Sequence, residues 1–156
     1  MKRIKTALLL TASGGQLAQE VATIDQLRKR KLMEIVEGET YLAGLSWGAL
    51  NVVALNACFR EKNPLAWETF YLDDFLSELK NTQVYIKTDP IHWETIPLRH
   101  TFETFLGTCG LKQVGQLPFE SSFPLSCHHN LKSKWVHSFK EKNAPVVLTD
   151  LLMAAT

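Results

Sequence analysis

The sequence lacks the features that mark several specialised classes of protein. Its 156 residues contain three cysteines, an odd number at irregular spacing, which argues against a disulfide framework. No apolar run approaches the roughly 20 residues that cross a bilayer. Seventeen basic and sixteen acidic side chains leave a net charge of +1, which gives no general attraction to nucleic acid. With 46% hydrophobic residues, the chain is typical of one globular domain over residues 1–156.

The most informative segment present is the pentapeptide from Gly44 to Gly48, which has the form Gly-x-Ser-x-Gly with Ser46 at its centre. Residues 41–43 before it have strand character, and residues 49–55 after it have helical character. A tight turn from strand to helix requires small residues beside the serine and exposes its hydroxyl above the positive end of the helix dipole. The pattern predicts a nucleophile; the alternative is an ordinary helix cap, in which the glycines serve only the turn.

A second loop of small residues lies upstream, where residues 4–11 of strand character lead into residues 12–16, Ala-Ser-Gly-Gly-Gln. Apolar residues at helical spacing follow this loop: Leu17, Val21, Ile24 and Leu27. A βαβ unit of this kind brings both loops to the carboxyl ends of neighbouring parallel strands, where α/β sheets bind ligands. Backbone amides in such a loop can form an oxyanion hole. Neither Gly-x-Gly-x-x-Gly nor Gly-Lys-Ser/Thr occurs, so nucleotide binding is poorly supported.

Together the two loops resemble those of the patatin-like phospholipase family. In that family a Gly-Gly-Gly-x-Arg/Lys-Gly loop between a strand and a helix precedes a Gly-x-Ser-x-Gly turn whose last glycine continues as Gly-Ala-Leu. Residues 44–50 reproduce the second motif. In the first motif Gly14 matches one glycine and Gly15 occupies the variable position, whereas the remaining loop residues depart from the pattern.

The resemblance implies roles for six residues. Ser46 would be the nucleophile, and Gly44 and Gly48 would form its elbow. The amides near Ser13, Gly14 and Gly15 would hold the oxyanion. It also implies an α/β fold with a mostly parallel central sheet flanked by helices.

The resemblance further implies a catalytic dyad of the serine and an aspartate in a distal Asp-Gly-Gly or Asp-Gly-Ala motif. The sequence contains no Asp-Gly dipeptide. Residues 146–156 resemble the family segment that leads toward that motif, as an apolar, alanine-rich helix without a capping residue. We therefore expect the chain to be the N-terminal portion of the domain, truncated at its C-terminus, with the aspartate on a C-terminal fragment or a second chain.

Two other chemistries use the histidines. A Ser-His-Asp triad would join Ser46 to His128, His129 or His137 and to Asp150, although α/β-hydrolases place the acid before the histidine. A metal cluster would join residues 127–129, Cys-His-His, to Cys109 or His137. Adjacent strand residues point to opposite faces, and this spacing matches no common zinc pattern.

Downstream patterns predict four further elements. Residues 65–80 have helical spacing, with aromatic residues on the core side, and residues 83–86 suit a short strand. Residues 98–106 predict a helix. Residues 123–129 and 134–139 predict a hairpin.

These patterns favour a serine hydrolase that cleaves carboxylic esters of lipids through an acyl-serine intermediate, with no metal or organic cofactor. The alternatives are a serine acyltransferase and a catalytically inactive patatin-like module that acts in binding or assembly. We expect a lipid or acyl-ester substrate, a cytoplasmic or peripheral membrane location, and no nucleic-acid partner. Residues 1–12 also imitate a short secretory signal, which is the alternative for location.

Overall fold

The computed structural model describes residues 3–11, 16–60, 65–81, 86–87, 93–127 and 132–156, and shows an α/β fold. Its main sheet has the strand order β1-β2-β5-β6. The strands are β1 (Thr6–Leu10), β2 (Thr40–Gly44), β5 (Glu120–Cys127) and β6 (Lys132–His137). β1, β2 and β5 are parallel, and β6 returns antiparallel to β5. The sheet is therefore mostly parallel, and the predicted hairpin is confirmed, with its tip at 128–131 outside the described residues.

The helices are α1 (Leu17–Lys29), α2 (Gly48–Cys58), α3 (Leu76–Asn81), α4 (Ile96–Cys109) and α5 (Leu148–Ala155). Two short strands, β3 (Ile86–Lys87) and β4 (Trp93–Glu94), form a separate antiparallel pair. The predicted strand at 83–86 reaches the described residues only at Ile86, which lies in β3. The helix predicted for 98–106 is longer at both ends in the structure, where it forms α4. Pro97 lies in its first turn, where proline needs no hydrogen bond, and Gly110 with a φ of 65° ends it.

The aromatic segment differs from the prediction in helix type. Residues 65–80 were expected to form one α-helix, but Trp67–Phe75 form a π-helix that continues into α3. Its rings pack along the segment: the ring centroids of Trp67 and Tyr71 lie 5.1 Å apart, and those of Tyr71 and Phe75 lie 5.7 Å apart. Phe75 also packs on Phe105 of α4, with ring centroids 4.3 Å apart. Hydrophobic spacing identified the buried residues correctly but does not distinguish a π-turn from an α-turn.

The core lies against one face of the main sheet. α2 is buried along its whole length, and it packs on the face that carries Leu42, Ser121 and Phe123. The opposite face carries Leu9, which is 67% exposed although it lies within β1. Among the described elements, the helices thus cover one face of the sheet, which places Ser46 and its neighbours at the edge of a one-sided core.

Asn56 joins this helix layer to β5. Its side-chain amide donates to the Val52 carbonyl at 2.9 Å and to Ser121 Oγ at 3.0 Å, and its Oδ1 accepts the Phe119 amide at 3.0 Å. The residue is fully buried. Every polar atom of the Asn56 side chain is therefore used to hold the start of β5 against α2.

We expect Asn56→Ala to lower the free energy of unfolding by about 2 kcal/mol or more, because the Phe119 amide and Ser121 hydroxyl lose buried partners. Urea denaturation measures this change. Thr23→Ala, which removes one exposed hydrogen bond to the Gln19 carbonyl, is the control and should change the value by less than about 0.5 kcal/mol. Equal effects of the two substitutions would contradict the role given to Asn56.

Two buried thiols should make the free energy of unfolding decrease as the pH rises into the alkaline range. Burial raises the pKa of Cys58 and of Cys109 from 9.0 to about 12. The unfolded chain ionises these thiols above pH 9 whereas the folded chain does not, so proton release favours unfolding and stability falls between pH 9 and 12. Each thiol contributes a slope of up to about 1.4 kcal/mol per pH unit.

We therefore expect the free energy of unfolding, measured by urea denaturation, to fall less steeply between pH 9 and 10.5 in the double variant Cys58→Ala/Cys109→Ala than in the wild type. The comparison removes the contribution of lysines and tyrosines, which both proteins share. Parallel pH profiles would show that the thiols are accessible in the folded chain.

Candidate functional site

Ser46 occupies a strained turn between strand and helix. β2 ends at Gly44, α2 begins at Gly48, and Ser46 between them has a φ of 54°. A positive φ is uncommon for a residue with a side chain and costs of order 1–3 kcal/mol, so it persists where surrounding structure enforces it. The side chain is half-buried, and its hydroxyl has no hydrogen-bond partner among the residues that the structure describes. This is the geometry of a nucleophile elbow.

Both glycines of the pentapeptide are sterically required. A Cβ on Gly44 would lie 2.7 Å from the Ala49 Cα and from the Gly48 carbonyl oxygen. A Cβ on Gly48 would lie 2.2 Å from the Leu10 carbonyl oxygen at the end of β1. All of these neighbours are backbone atoms and cannot turn aside. The glycines therefore allow the helix to start directly against two strand ends.

The first loop leaves β1 beside this turn. Leu10 is in register with Gly44, and the Leu45 amide donates to the Leu10 carbonyl at 2.9 Å. The chain after Thr11 therefore begins next to the Ser46 turn. The three residues expected to supply oxyanion amides, Ser13, Gly14 and Gly15, lie outside the described residues.

A chain of hydrogen bonds connects the start of that loop to α2. Glu20 of α1 accepts the Thr11 amide on Oε1 at 2.8 Å and the Asn51 side-chain amide on Oε2 at 2.6 Å. Asn51 Oδ1 accepts the Tyr71 hydroxyl at 2.6 Å. Burial raises the pKa of Tyr71 well above its ordinary value, so the phenol stays protonated and donates. One network thus ties β1, α1, α2 and the π-helix together beneath the site.

Glu20, Asn51 and Tyr71 were not among the residues that the sequence patterns predicted for the site. The signal available in the sequence was Asn51, a polar residue within the otherwise apolar residues 49–55 that follow the turn. A buried asparagine must find partners for its amide, which predicts a polar neighbour on a facing element. The identity of this neighbour depends on how α1 and the π-helix pack, which cannot be predicted from local sequence patterns.

Trp47 contributes both a ring and an amide to the site. Its indole packs edge-on against Phe102 of α4, with ring centroids 6.1 Å apart. Its backbone N–H has no hydrogen-bond partner in the described parts of the chain. In nucleophile elbows the amide of the residue after the serine is a donor to the oxyanion, so Trp47 joins the candidate residues.

The structure separates His137 from Asp150, which are two residues of one form of the proposed Ser-His-Asp triad. His137 Nδ1 lies 2.6 Å from Ser122 Oγ, on the face of the sheet opposite the helices. Asp150 lies on α5, in the helix layer, where it pairs with Arg99 at 2.5 Å. His128 and His129 lie outside the described residues. Asp150 and His137 therefore cannot act together on Ser46.

The other described aspartates do not reach the hydroxyl either. Asp25 lies eight residues along α1, about 12 Å from its start at 1.5 Å per residue, and pairs with Lys29 at 2.6 Å. Asp73 and Asp74 are exposed on the π-helix. Within the described ranges, no aspartate or histidine is hydrogen-bonded to Ser46.

His128 and His129 of the proposed metal cluster lie outside the described residues, and its two alternative further ligands lie on opposite sides of the sheet. Cys109 is fully buried in α4, on the helix side of the sheet, whereas His137 lies on the other side. Among the residues that the structure describes, no group of three or more His, Cys, Asp and Glu side chains is arranged to hold a metal ion. Likewise, none of the described helices is both long and apolar enough to span a bilayer.

Comparison with protein-family models found none that matches this chain, and no curated protein matches it either.

We expect Gly48→Ala to destabilise the protein by at least about 2 kcal/mol, because its Cβ would meet the Leu10 carbonyl and nearby backbone. Gly107→Ala is the matched control, since a Cβ there meets nothing within 4 Å. In α4, alanine should stabilise by about 0.5–1 kcal/mol relative to glycine. Thermal or urea unfolding measures both changes. A neutral Gly48→Ala would mean that β1 and α2 are farther apart than the structure has them.

Proposed function

We propose that this protein is a serine acyl hydrolase of the lipase or phospholipase A type, with Ser46 as its nucleophile. The observation that carries the proposal is the positive φ of Ser46 in a turn whose two glycines are both sterically required. Strain of this kind costs free energy and is characteristic of functional sites. An ordinary helix cap does not require it, because capping residues normally adopt extended backbone angles.

The proposed reaction proceeds through an acyl-serine. Ser46 Oγ attacks the carbonyl carbon of a carboxylic ester while a carboxylate takes its proton. The carbonyl oxygen becomes an oxyanion, which the amides of Trp47 and of the loop at Ser13, Gly14 and Gly15 would stabilise. Each such donor is worth about 3–4 kcal/mol. The tetrahedral intermediate expels the alcohol, which receives the proton, and water then hydrolyses the acyl-serine by the same steps.

The general base in this proposal lies outside residues 1–156. The described aspartates are paired or distant, and His137 is bonded to Ser122. We therefore propose that a C-terminal fragment or a second chain supplies the aspartate of the dyad, as the resemblance to patatin-like phospholipases implies. On the same basis the substrate is a lipid ester, and the protein works in the cytoplasm or at a membrane surface.

A second candidate is a catalytically inactive patatin-like module that acts in binding or assembly. It is favoured by one observation, which is that the Ser46 hydroxyl has no hydrogen-bonded base within the described residues. The two candidates differ in whether the serine is nucleophilic in the protein as it occurs in the cell.

A fluorophosphonate probe separates these candidates because it forms a covalent bond only with an activated serine. In protein purified from its native source, we expect the probe to modify the peptide that contains Ser46, as identified by mass spectrometry. Expressed in the same host, Ser46→Ala should lose the label, whereas Ser133→Ala, which removes an exposed serine of β6, should keep it. An unlabelled native protein would favour the inactive module.

The 156-residue chain produced alone should hydrolyse a short-chain nitrophenyl ester no faster than Ser46→Ala, since the proposal places the general base outside it. Rapid turnover by this chain, lost in Ser46→Ala, would contradict the dyad with an external aspartate.

A further inference from the structure

Large apolar side chains are exposed on the sheet face that the described helices leave uncovered. Leu9 of β1 is 67% exposed and Trp135 of β6 is 51% exposed. Leu45 directly follows β2 and is 46% exposed, and Phe139, two residues after the end of β6, is 51% exposed. We call these four residues the open face. Contiguous exposed apolar surface on a soluble domain marks an interaction site.

The strand register places these residues on one side of the sheet. Leu9 pairs with Ala43, Ala43 with Ser122, and Ser122 with His137, so one row crosses all four strands. Alternation then puts Trp135 and Phe139 on the same face as His137. The Leu45 amide continues the ladder to β1, so its side chain follows that of Ala43.

The open face also reaches the edge that carries Ser46. β5 pairs with β2 only from Glu120 to Ser122, and beyond that point it pairs with β6 alone. The hairpin of β5 and β6 therefore extends past the carboxyl end of β2. Trp135, opposite Pro124, lies on this extension, and Leu45 adjoins Ser46 in the chain. A partner on the open face would thus contact the rim of the candidate site.

Polar groups on this face are paired with one another. The Tyr41 hydroxyl donates to Ser122 Oγ at 2.6 Å, and Ser122 Oγ lies 2.6 Å from His137 Nδ1. Burial, together with Lys140 and Lys142, lowers the pKa of His137, so its ring is neutral at pH 7. The hydroxyls of Tyr41 and Ser122 and the Nδ1 atom of His137 can therefore approach an apolar phase with their partners in place.

Positive charge accompanies the exposed rings. Residues 132–142 contain four lysines and one glutamate, a net charge of +3 in a chain whose total is +1. Lys140 and Lys142 are exposed and lie near His137, whereas Lys134 alternates to the other side of β6. The acidic residue Glu120 lies on the same side of the sheet, but at the amino end of β5, away from the Ser46 edge. Exposed aromatic residues beside lysines are the composition of surfaces that bind anionic membranes.

We propose that the open face binds the surface of a membrane that contains anionic lipids. Leu9, Leu45 and Trp135 enter the interface between headgroups and acyl chains, and Lys140 and Lys142 contact the headgroups. This orientation presents the Ser46 edge to the ester layer of the membrane. Only that last consequence rests on the proposed hydrolase function; the binding itself does not.

The test is binding of the purified 156-residue chain to vesicles, measured by flotation. Vesicles of phosphatidylcholine with phosphatidylglycerol should bind the protein more tightly than vesicles of phosphatidylcholine alone, and added salt should weaken the difference. Trp135→Ala should reduce the partition coefficient roughly tenfold, and Leu9→Ala should reduce it by a smaller factor. Circular dichroism and thermal unfolding confirm that the variants are folded.

Two matched controls make the test specific to this face. Leu32 is 69% exposed in the turn after α1, so Leu32→Ala removes the same side chain as Leu9→Ala at similar exposure and should leave binding unchanged. Lys140→Glu should weaken binding to anionic vesicles, whereas Lys112→Glu, an equal charge change in the loop after α4, should not. If both charge reversals weaken binding equally, attraction is not confined to the open face and the proposal fails.

Other outcomes also overturn the proposal. Wild-type protein that does not float with anionic vesicles excludes it, as does a Trp135→Ala variant that binds like the wild type. A concentration-dependent dimer in sedimentation analysis, abolished by Trp135→Ala, would assign the face to a second copy of the chain. Ser46→Ala should bind vesicles normally, so loss of hydrolase activity and loss of membrane binding are separately observable.

Discussion

The close approach of α2 to the ends of β1 and β2 is the constraint on which the site depends. At Gly48 the helix begins where any side chain would collide with the Leu10 carbonyl, and at Gly44 the strand ends against the first turn of the same helix. With the chain confined at both points, the residue between them adopts a positive φ, and in this sequence that residue is Ser46. The conformation of the serine thus follows from contacts made by its neighbours.

The buried network beneath this turn holds the supporting elements in place. Glu20 accepts the backbone amide of Thr11, the residue after β1, and through Asn51 it is joined to the helix that follows Ser46. Tyr71 completes the network from the π-helix. Removing any one partner would leave buried polar atoms unpaired, which costs about 1–3 kcal/mol. Two segments far apart in sequence are therefore fixed relative to each other by one carboxylate.

Local patterns in the sequence were sufficient to predict the order of the main elements. The glycines around Ser46 predicted the turn, helical spacing predicted α1, and alternation after residue 122 predicted the hairpin. They could not distinguish the π-helix of Trp67–Phe75 from an α-helix, because both types bury the same aromatic side chains. Nor could they identify the contact between Glu20 and Asn51, which joins residues 31 positions apart through tertiary packing. The pairing of Asp150 with Arg99 could likewise not be predicted from sequence spacing.

The one-sided placement of the helices has a consequence for how this protein can evolve. Side chains on the covered face, such as Leu42 and Phe123, are wholly buried and cannot vary without loss of folding free energy. Leu9 and Trp135, on the other face of the same strands, contribute little to the core and are free of that restriction. Selection on surface recognition and selection on foldedness therefore act on alternate residues of each strand. If related chains keep large apolar residues at the uncovered positions, this would show selection on surface recognition, separately from selection on folding.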